Sequence, residues 1–272
     1  MEAFDDFGRA FSIGQNRERV ATGDQIVFNQ FYTLSKGLGM SANIALVKDN
    51  STFGFTGPIA GERVRLSLEN QVGIDNYFAT LVDARKYIFK KPFTFAFRAL
   101  NYNRFERETN SVYPNFIGNM GFVRGFGDVF FDQQINPTIS IDRLIGSKIG
   151  MISAEVRLPF TGPRQLALFG SNFLFTDLIF FFDAGIAFDE FSQIRDGRSV
   201  NVVTTNDNDE IVYGPDGFPV YSTEVIKPLL AKSAGVSLRI NVGNAIIIEP
   251  FYARQLVGNG RWDFGINFIP GW

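Results

Sequence analysis

The 272-residue chain contains no cysteine and no histidine. The first absence removes disulfide scaffolds and thiolate metal sites, and the second removes imidazole ligands and every nucleophile–histidine triad. Any chemistry must therefore run on carboxylates, Arg and Lys, hydroxyls or shape. A G-x-S-x-G elbow and a phosphate-binding glycine loop are missing too. No residue is singled out as catalytic, no metal or cofactor is expected, and the chain is not expected to be an enzyme. An excess of one charge is also lacking: 26 basic residues stand against 28 acidic ones. Without a long basic run to meet phosphates, a nucleic-acid partner is not expected. No apolar stretch of about 18 residues runs free of charges and turn signals, so no transmembrane helix is expected. Met1 to Arg9 lack the basic and then apolar regions of a signal peptide. For an exported protein that implies a mature form, or a fragment whose upstream part is missing.

What the chain has in quantity is phenylalanine, 31 residues of it, against two tryptophans. The apolar residues recur with period two, the pattern of strands with one apolar and one polar face. Trp262, Phe264, Ile266 and Phe268 alternate with Asp263, Gly265 and Asn267; Val236, Leu238, Ile240 and Val242 alternate with Ser237, Arg239 and Asn241. Phe93, Phe95, Phe97 and Ala99 face away from Thr94, Ala96 and Arg98, and Val64, Leu66 and Leu68 from Arg63, Arg65, Ser67 and Glu69.

Alternation alone also fits a soluble sandwich. Three features point instead to a membrane barrel. The strands Asp75 to Lys90, Pro92 to Phe105, Ser147 to Pro159 and Asp177 to Glu190 exceed the length typical of globular strands and reach what a bilayer requires. Charged and amide groups sit mid-strand on the polar faces, as a wet lumen permits. Aromatics recur near strand ends at Tyr77, Phe89, Phe188 and Trp262, as in interfacial girdles. Connections alternate in length: tight turns at Lys90–Pro92 and Gly243–Asn244, long loops at Asn103 to Gly146 and Asp189 to Pro228. Phe160 to Thr176 is long where a short turn is expected. Asp189 to Thr223 reads as a polar exposed loop or an interdomain linker. The expectation is an all-β fold, a transmembrane antiparallel β-barrel of the outer-membrane type with about eleven or twelve strands in a single domain spanning residues 1–272.

Phe122-Val123-Arg124-Gly125-Phe126 lies in the first long loop, Ala154-Glu155-Val156-Arg157-Leu158-Pro159 in the next strand and Phe181-Phe182-Asp183-Ala184-Gly185 in the one after. In this order the three motifs resemble the BamA- and TamA-like C-terminal barrels of the outer-membrane insertase superfamily, also called the bacterial surface antigen family. The likeness covers roughly residues 60 to 272, and five strands follow the loop, as they do in that family's sixteen-stranded barrel. Finer details, LPFTGPRQLALF and the ending Asn267-Phe268-Ile269-Pro270-Gly271-Trp272, resemble Bacteroidota barrels that follow an N-terminal TolB-like propeller. Two departures stand out. The strands are too few for a sixteen-stranded barrel, so either the first strands are absent or this member is smaller. The family's periplasmic POTRA pattern is also not found.

The resemblance implies that the loop folds into the lumen, carried by Val123, Arg124, Gly125 and Phe126, with Arg124 meeting acidic groups on the inner wall. Parity places Glu155 and Asp183 on that wall, opposite Ile152, Ala154, Val156, Phe180, Phe182 and Ala184. A guanidinium can grip a carboxylate through two parallel hydrogen bonds, while Gly125 and Gly127 permit a tight turn. The bland alternative is an exposed loop arginine. The last strand is the second candidate: Trp262, Phe264, Ile266, Phe268 and Trp272 would form a weakly paired seam and assembly signal, or an interfacial anchor. Asp83 with Arg85, Arg63 with Glu69 and Arg239 with Glu249 read as inner-wall ion pairs or solvated side chains. Two functions follow. One is an insertase or translocation pore of the bacterial outer membrane, whose partners are lipid and client or assembly-machinery proteins. The other is a structural anchor or passive pore for an upstream periplasmic domain.

Overall fold

The computed structural model describes residues 2–4, 10–12, 19–22, 25–28 and 40–270, apart from 74–75, 107–113, 120, 128–138, 166, 205–211, 215–218 and 243–245. Nine long strands dominate it: Met40–Asp49 (β1), Pro58–Val72 (β2), Tyr77–Lys90 (β3), Phe93–Glu106 (β4), Lys148–Gly162 (β5), Phe175–Phe188 (β6), Ala231–Val242 (β7), Ile246–Gln255 (β8) and Trp262–Pro270 (β9). They form one antiparallel meander in which each strand pairs with its neighbours in sequence. Two short pieces complete an eleven-stranded sheet, Thr52–Phe53 beside the start of β2 and Phe169–Gly170 running parallel to the end of β5. The protein is all-β, and five strands follow the first long loop as expected.

Strand boundaries follow the turn chemistry. Lys91 and Pro92 form a two-residue turn closed by the Lys90–Phe93 pair. Between β7 and β8 the pairing passes from Ser237↔Phe251 to Ile240↔Ile248, skipping Glu249 and Pro250. Proline has no N–H to give to a ladder, so a lapse there is the expected cost of Pro250 within a strand. The expected turn at Gly243–Asn244 lies outside the described residues. Four short strands pair as Glu2–Phe4 with Ala10–Ser12 and Arg19–Thr22 with Gln25–Phe28. The segment expected as an open polar loop after β6 instead carries a short helix, Phe191–Asp196 (α1), and a ribbon pairing Arg198–Val203 with Tyr221–Ile226.

The two faces of the sheet differ as the alternation requires. Phe97, Ile152, Phe180, Phe264 and Phe268 are all between 48% and 64% exposed on one face. On the other, Ser67, Asp83, Thr94, Arg157, Asp183, Ser237, Arg239 and Glu249 are buried. A soluble sheet buries its apolar side; this one buries the polar side. The arrangement is possible because the sheet curls. Arg85 on β3 and Asn267 on β9 line a common cavity of about 150 Å³, although six strand spacings on a flat sheet would separate them by roughly 29 Å. Among the described residues β1 pairs only with β2 and β9 only with β8, and no pairing closes the sheet.

Not every strand-end aromatic joins the outer face. Trp262 does, stacked on Tyr252 at 4.7 Å. Tyr77 instead donates a hydrogen bond to Glu69 at 2.9 Å, and Phe188 is covered by Phe191 of α1 at 5.0 Å. In both cases a local partner supplies more than exposure to an interface would.

Candidate functional site

The first long loop folds back onto the concave face. Its entry and exit pair as Asn115–Phe116 with Ile145–Gly146. Val123 donates a backbone hydrogen bond to the Ile117 carbonyl at 3.0 Å, which closes the tip on itself. Phe116, Ile117, Val123 and Phe126 are buried in one apolar cluster with Leu100, Ile149 and Met151 of the sheet and with Ile139, Ile141 and Leu144 of the loop. This cluster is the largest apolar core among the described residues, and it gives the loop a hydrophobic reason to dock.

Arg124 projects from that tip onto the concave face. Nε donates to Asp183 Oδ2 at 2.7 Å and Nη2 to Asp183 Oδ1 at 2.9 Å, the paired geometry that suits a guanidinium and a carboxylate. Nη1 reaches Glu249 Oε1 at 2.9 Å, and Nη2 lies 3.0 Å from Glu155 Oε1. Below the guanidinium, the Phe181 ring centroid is 3.6 Å from Cζ, a cation–π contact in a site shielded from water. Burial by itself would lower the Arg124 pKa, but Glu155, Asp183 and Glu249 more than offset it and hold the pKa above its ordinary value. Arg124 is therefore permanently charged.

The acids are shared. Arg157 binds Glu155 through Nε at 2.8 Å, and Arg239 binds Glu249 through Nε at 2.8 Å. Arg124, Arg157 and Arg239 stand against Glu155, Asp183 and Glu249, so as a set the cluster is neutral, which is the condition for burying charges at tolerable cost. Ser153 adds a hydrogen bond to Asp183 at 2.6 Å. Two further groups hold the loop backbone: Gln255 donates to the Gly125 carbonyl at 2.7 Å, and Arg98 to the Gly121 carbonyl at 2.6 Å. Gly125 has φ +89°, and a Cβ there would come within 2.8 Å of the Ala253 methyl, so both backbone and space demand glycine. Gly127 does not share this role: it has no positive φ and, among the described residues, no neighbour within 4 Å of a built Cβ.

Of the residues expected from sequence, Val123, Arg124, Gly125, Phe126, Glu155 and Asp183 come together in one site. Asp83 with Arg85 is an ion pair on the concave face at 2.7 Å, and Arg239 with Glu249 is another. Arg63 lies 3.6 Å from Asp49. Trp262, Phe264, Ile266 and Phe268 share the outer face of β9, away from Arg124; Trp272 lies outside the described residues. Glu249 as a partner of Arg124, Phe181 beneath it and Gln255 on Gly125 were not anticipated. Only the odd-numbered parity of Glu249 and Gln255, shared with Phe251 and Ala253, marked them as inward.

Comparison of the chain with protein-family models and with curated proteins gives no match.

Proposed function

We propose that this chain is the membrane-embedded part of an outer-membrane β-barrel of the insertase superfamily, assisting the assembly or export of outer-membrane proteins. The carrying observation is the docking of Arg124, from the VRGF-type motif, into the buried set of Asp183, Glu155 and Glu249. Supporting it, the convex face is apolar along six or more strands, far beyond the few hundred Å² that a soluble monomer leaves bare. Lipid is the solvent that such a face fits. The strand β9, paired on one side only among the described residues, supplies backbone N–H and C=O groups to which a client strand can add.

The mechanism this supports needs no cofactor. The locked loop holds the inner wall rigid and blocks the lumen, while the seam beside β9 provides an edge for strand addition. The test is reconstitution of the full chain into liposomes with an unfolded outer-membrane barrel supplied as client. Faster acquisition of protease resistance by the client than in empty liposomes is the expected result. Correct insertion of the chain with no effect on the client would favour a structural anchor or passive pore.

A further inference from the structure

Below the Arg124 cluster the concave face holds a second cavity, of about 110 Å³. Arg85, Tyr87, Arg157 and Arg239 line this cavity and the larger one above it, so they form a partition between the two. The two sides of the partition differ chemically. Glu155, Asp183 and Glu249 line the upper cavity. Among the described residues the lower one is lined by Arg63, Arg85, Arg157 and Arg239 and by no carboxylate.

The orientation of the guanidiniums explains the asymmetry. Arg157 and Arg239 each turn the Nε and Nη2 edge to a carboxylate, Arg157 to Glu155 and Arg239 to Glu249. Their Nη1 groups point the other way, that of Arg157 to 3.6 Å and that of Arg239 to 3.5 Å from a Cβ built on Gly57, which lines the lower cavity. Arg157 Nη1 spends one hydrogen on the Pro58 carbonyl at 3.1 Å. Arg239 Nη1 has no acceptor among the described residues. An arginine carries five N–H donors and no acceptor, so a cavity walled by four of them, with Arg63 and Arg85 partly exposed at its mouth, asks for an acceptor-only guest.

The other wall of this cavity is the tip between the Thr52–Phe53 piece and β2. Thr56 donates to Asp177 on β6, and Asn241 on β7 donates to the Phe55 carbonyl. The tip is thus tied across the concave face, and a glycine at 57 leaves space where any side chain would stand against the two Nη1 groups.

We propose that this lower cavity is a binding site for a small oxyanion of the phosphate class, held by Nη1 of Arg239 and the remaining Nη1 hydrogen of Arg157 with Arg63 and Arg85 around it. Guanidinium groups converge on such an anion with the geometry that phosphate recognition uses elsewhere. The volume suits inorganic phosphate or the phosphate end of a larger molecule. A bound anion would bridge the Gly57 tip to β5 and β7 and hold the floor of the curled sheet shut. The site does not depend on what surrounds the convex face.

The experiment is calorimetric titration of the detergent-solubilised full chain with inorganic phosphate, in buffer free of other oxyanions and at constant chloride. Saturable one-to-one binding is expected. Gly57→Ala, which places a methyl beside both Nη1 groups, removes no charge and strains a backbone at φ +157°, should weaken it at least about tenfold. Arg63→Gln, at the partly exposed rim, should weaken it too, and serves if the glycine variant does not fold. Asn267→Ala, which alters only the upper cavity, should bind as the parent does. A short-chain phosphatidic acid that competes with phosphate would identify a lipid headgroup as the source; phosphate binding without such competition would identify the free ion. No saturable heat with phosphate, or equal binding by parent, Gly57→Ala and Arg63→Gln, overturns the proposal.

Discussion

Replacement of Arg124 by alanine asks how the docked loop is held. Its three acidic partners lose unequally. Glu249 keeps Arg239, and Glu155 keeps Arg157 at 2.7 Å. Asp183, only 1% exposed, loses its cation and keeps the Ser153 hydroxyl at 2.6 Å and, while the loop stays docked, the backbone N–H of residue 124 at 3.3 Å. The variant therefore leaves one buried carboxylate unpaired, a situation that costs about 3–5 kcal/mol. The adjoining cavity of about 150 Å³, which Asp183 also lines, can admit water to the orphaned group. That moves the expectation to the low end, about 3 kcal/mol, equivalent to roughly a hundredfold shift toward the undocked loop.

Limited proteolysis of residues 114–127 in the detergent-solubilised protein reads that shift directly, and heat-induced unfolding reads its effect on the whole sheet. Adding Asp183→Asn to Arg124→Ala should recover part of the loss, because the buried charge disappears with its partner. Arg124→Lys should fall between the two, retaining the charge while losing the two-pronged grip. If Arg124→Ala cleaves at the parental rate and unfolds within about 0.5 kcal/mol of it, the hydrophobic cluster around Val123 and Phe126 holds the loop alone and the lock reasoning fails.

Gly125→Ala combines a left-handed backbone with a 2.8 Å approach to Ala253, whereas Gly121→Ala has a similar φ of +87° and open space; proteolysis should find Gly125→Ala more exposed, since Gly121→Ala meets only the backbone cost of about 1–2 kcal/mol. Because the Arg124 pKa is raised, its contribution is complete below the ordinary arginine value and is lost only as pH rises through the higher folded value. Loop protection should accordingly stay flat from neutrality to about pH 11, and a loss centred near pH 9 would contradict the pairing. Phe180→Arg puts a charge on the convex face in the middle of β6, where Phe180 is 52% exposed. In a bilayer this should cost about 2–4 kcal/mol and reduce insertion into liposomes; unchanged insertion would show that lipid does not cover that face.

Much of the fold was readable because the Cβ direction alternates along a strand. Parity alone placed Glu155 and Asp183 on the face opposite Ile152 and Phe180, and it placed Arg239 and Glu249 together. The strand-end aromatics were less readable. Tyr77 and Phe188 occupy the expected positions along the chain, but Glu69 on the neighbouring strand and Phe191 in a helix that the polar run concealed are their partners. The polar run after β6 concealed α1 and a ribbon, since Asn, Asp and Gly mark turns without showing what lies between them.

Glu249 shows why a third partner of Arg124 escaped the sequence. Parity says that Glu249 and Asp183 share a face; it does not say that one side chain can touch both. Asp183 on β6 and Glu249 on β8 are two strand spacings apart, roughly 10 Å on a flat sheet, more than a single guanidinium bridges if both side chains stand upright. Curvature shortens the distance across the concave side, and curvature is not encoded in alternation. It arises here from the packing at the inner face: Phe181 and Phe251 lie edge to face at 6.4 Å, and each sits beside a glycine of the next strand, at the pairs Phe181↔Gly235 and Phe251↔Gly265. Large residues opposite glycines let the inner wall tighten where Arg124 docks. The position of the lock was therefore written in the VRGF-type motif, and its closure in glycines on the strands next to those of Asp183 and Glu249.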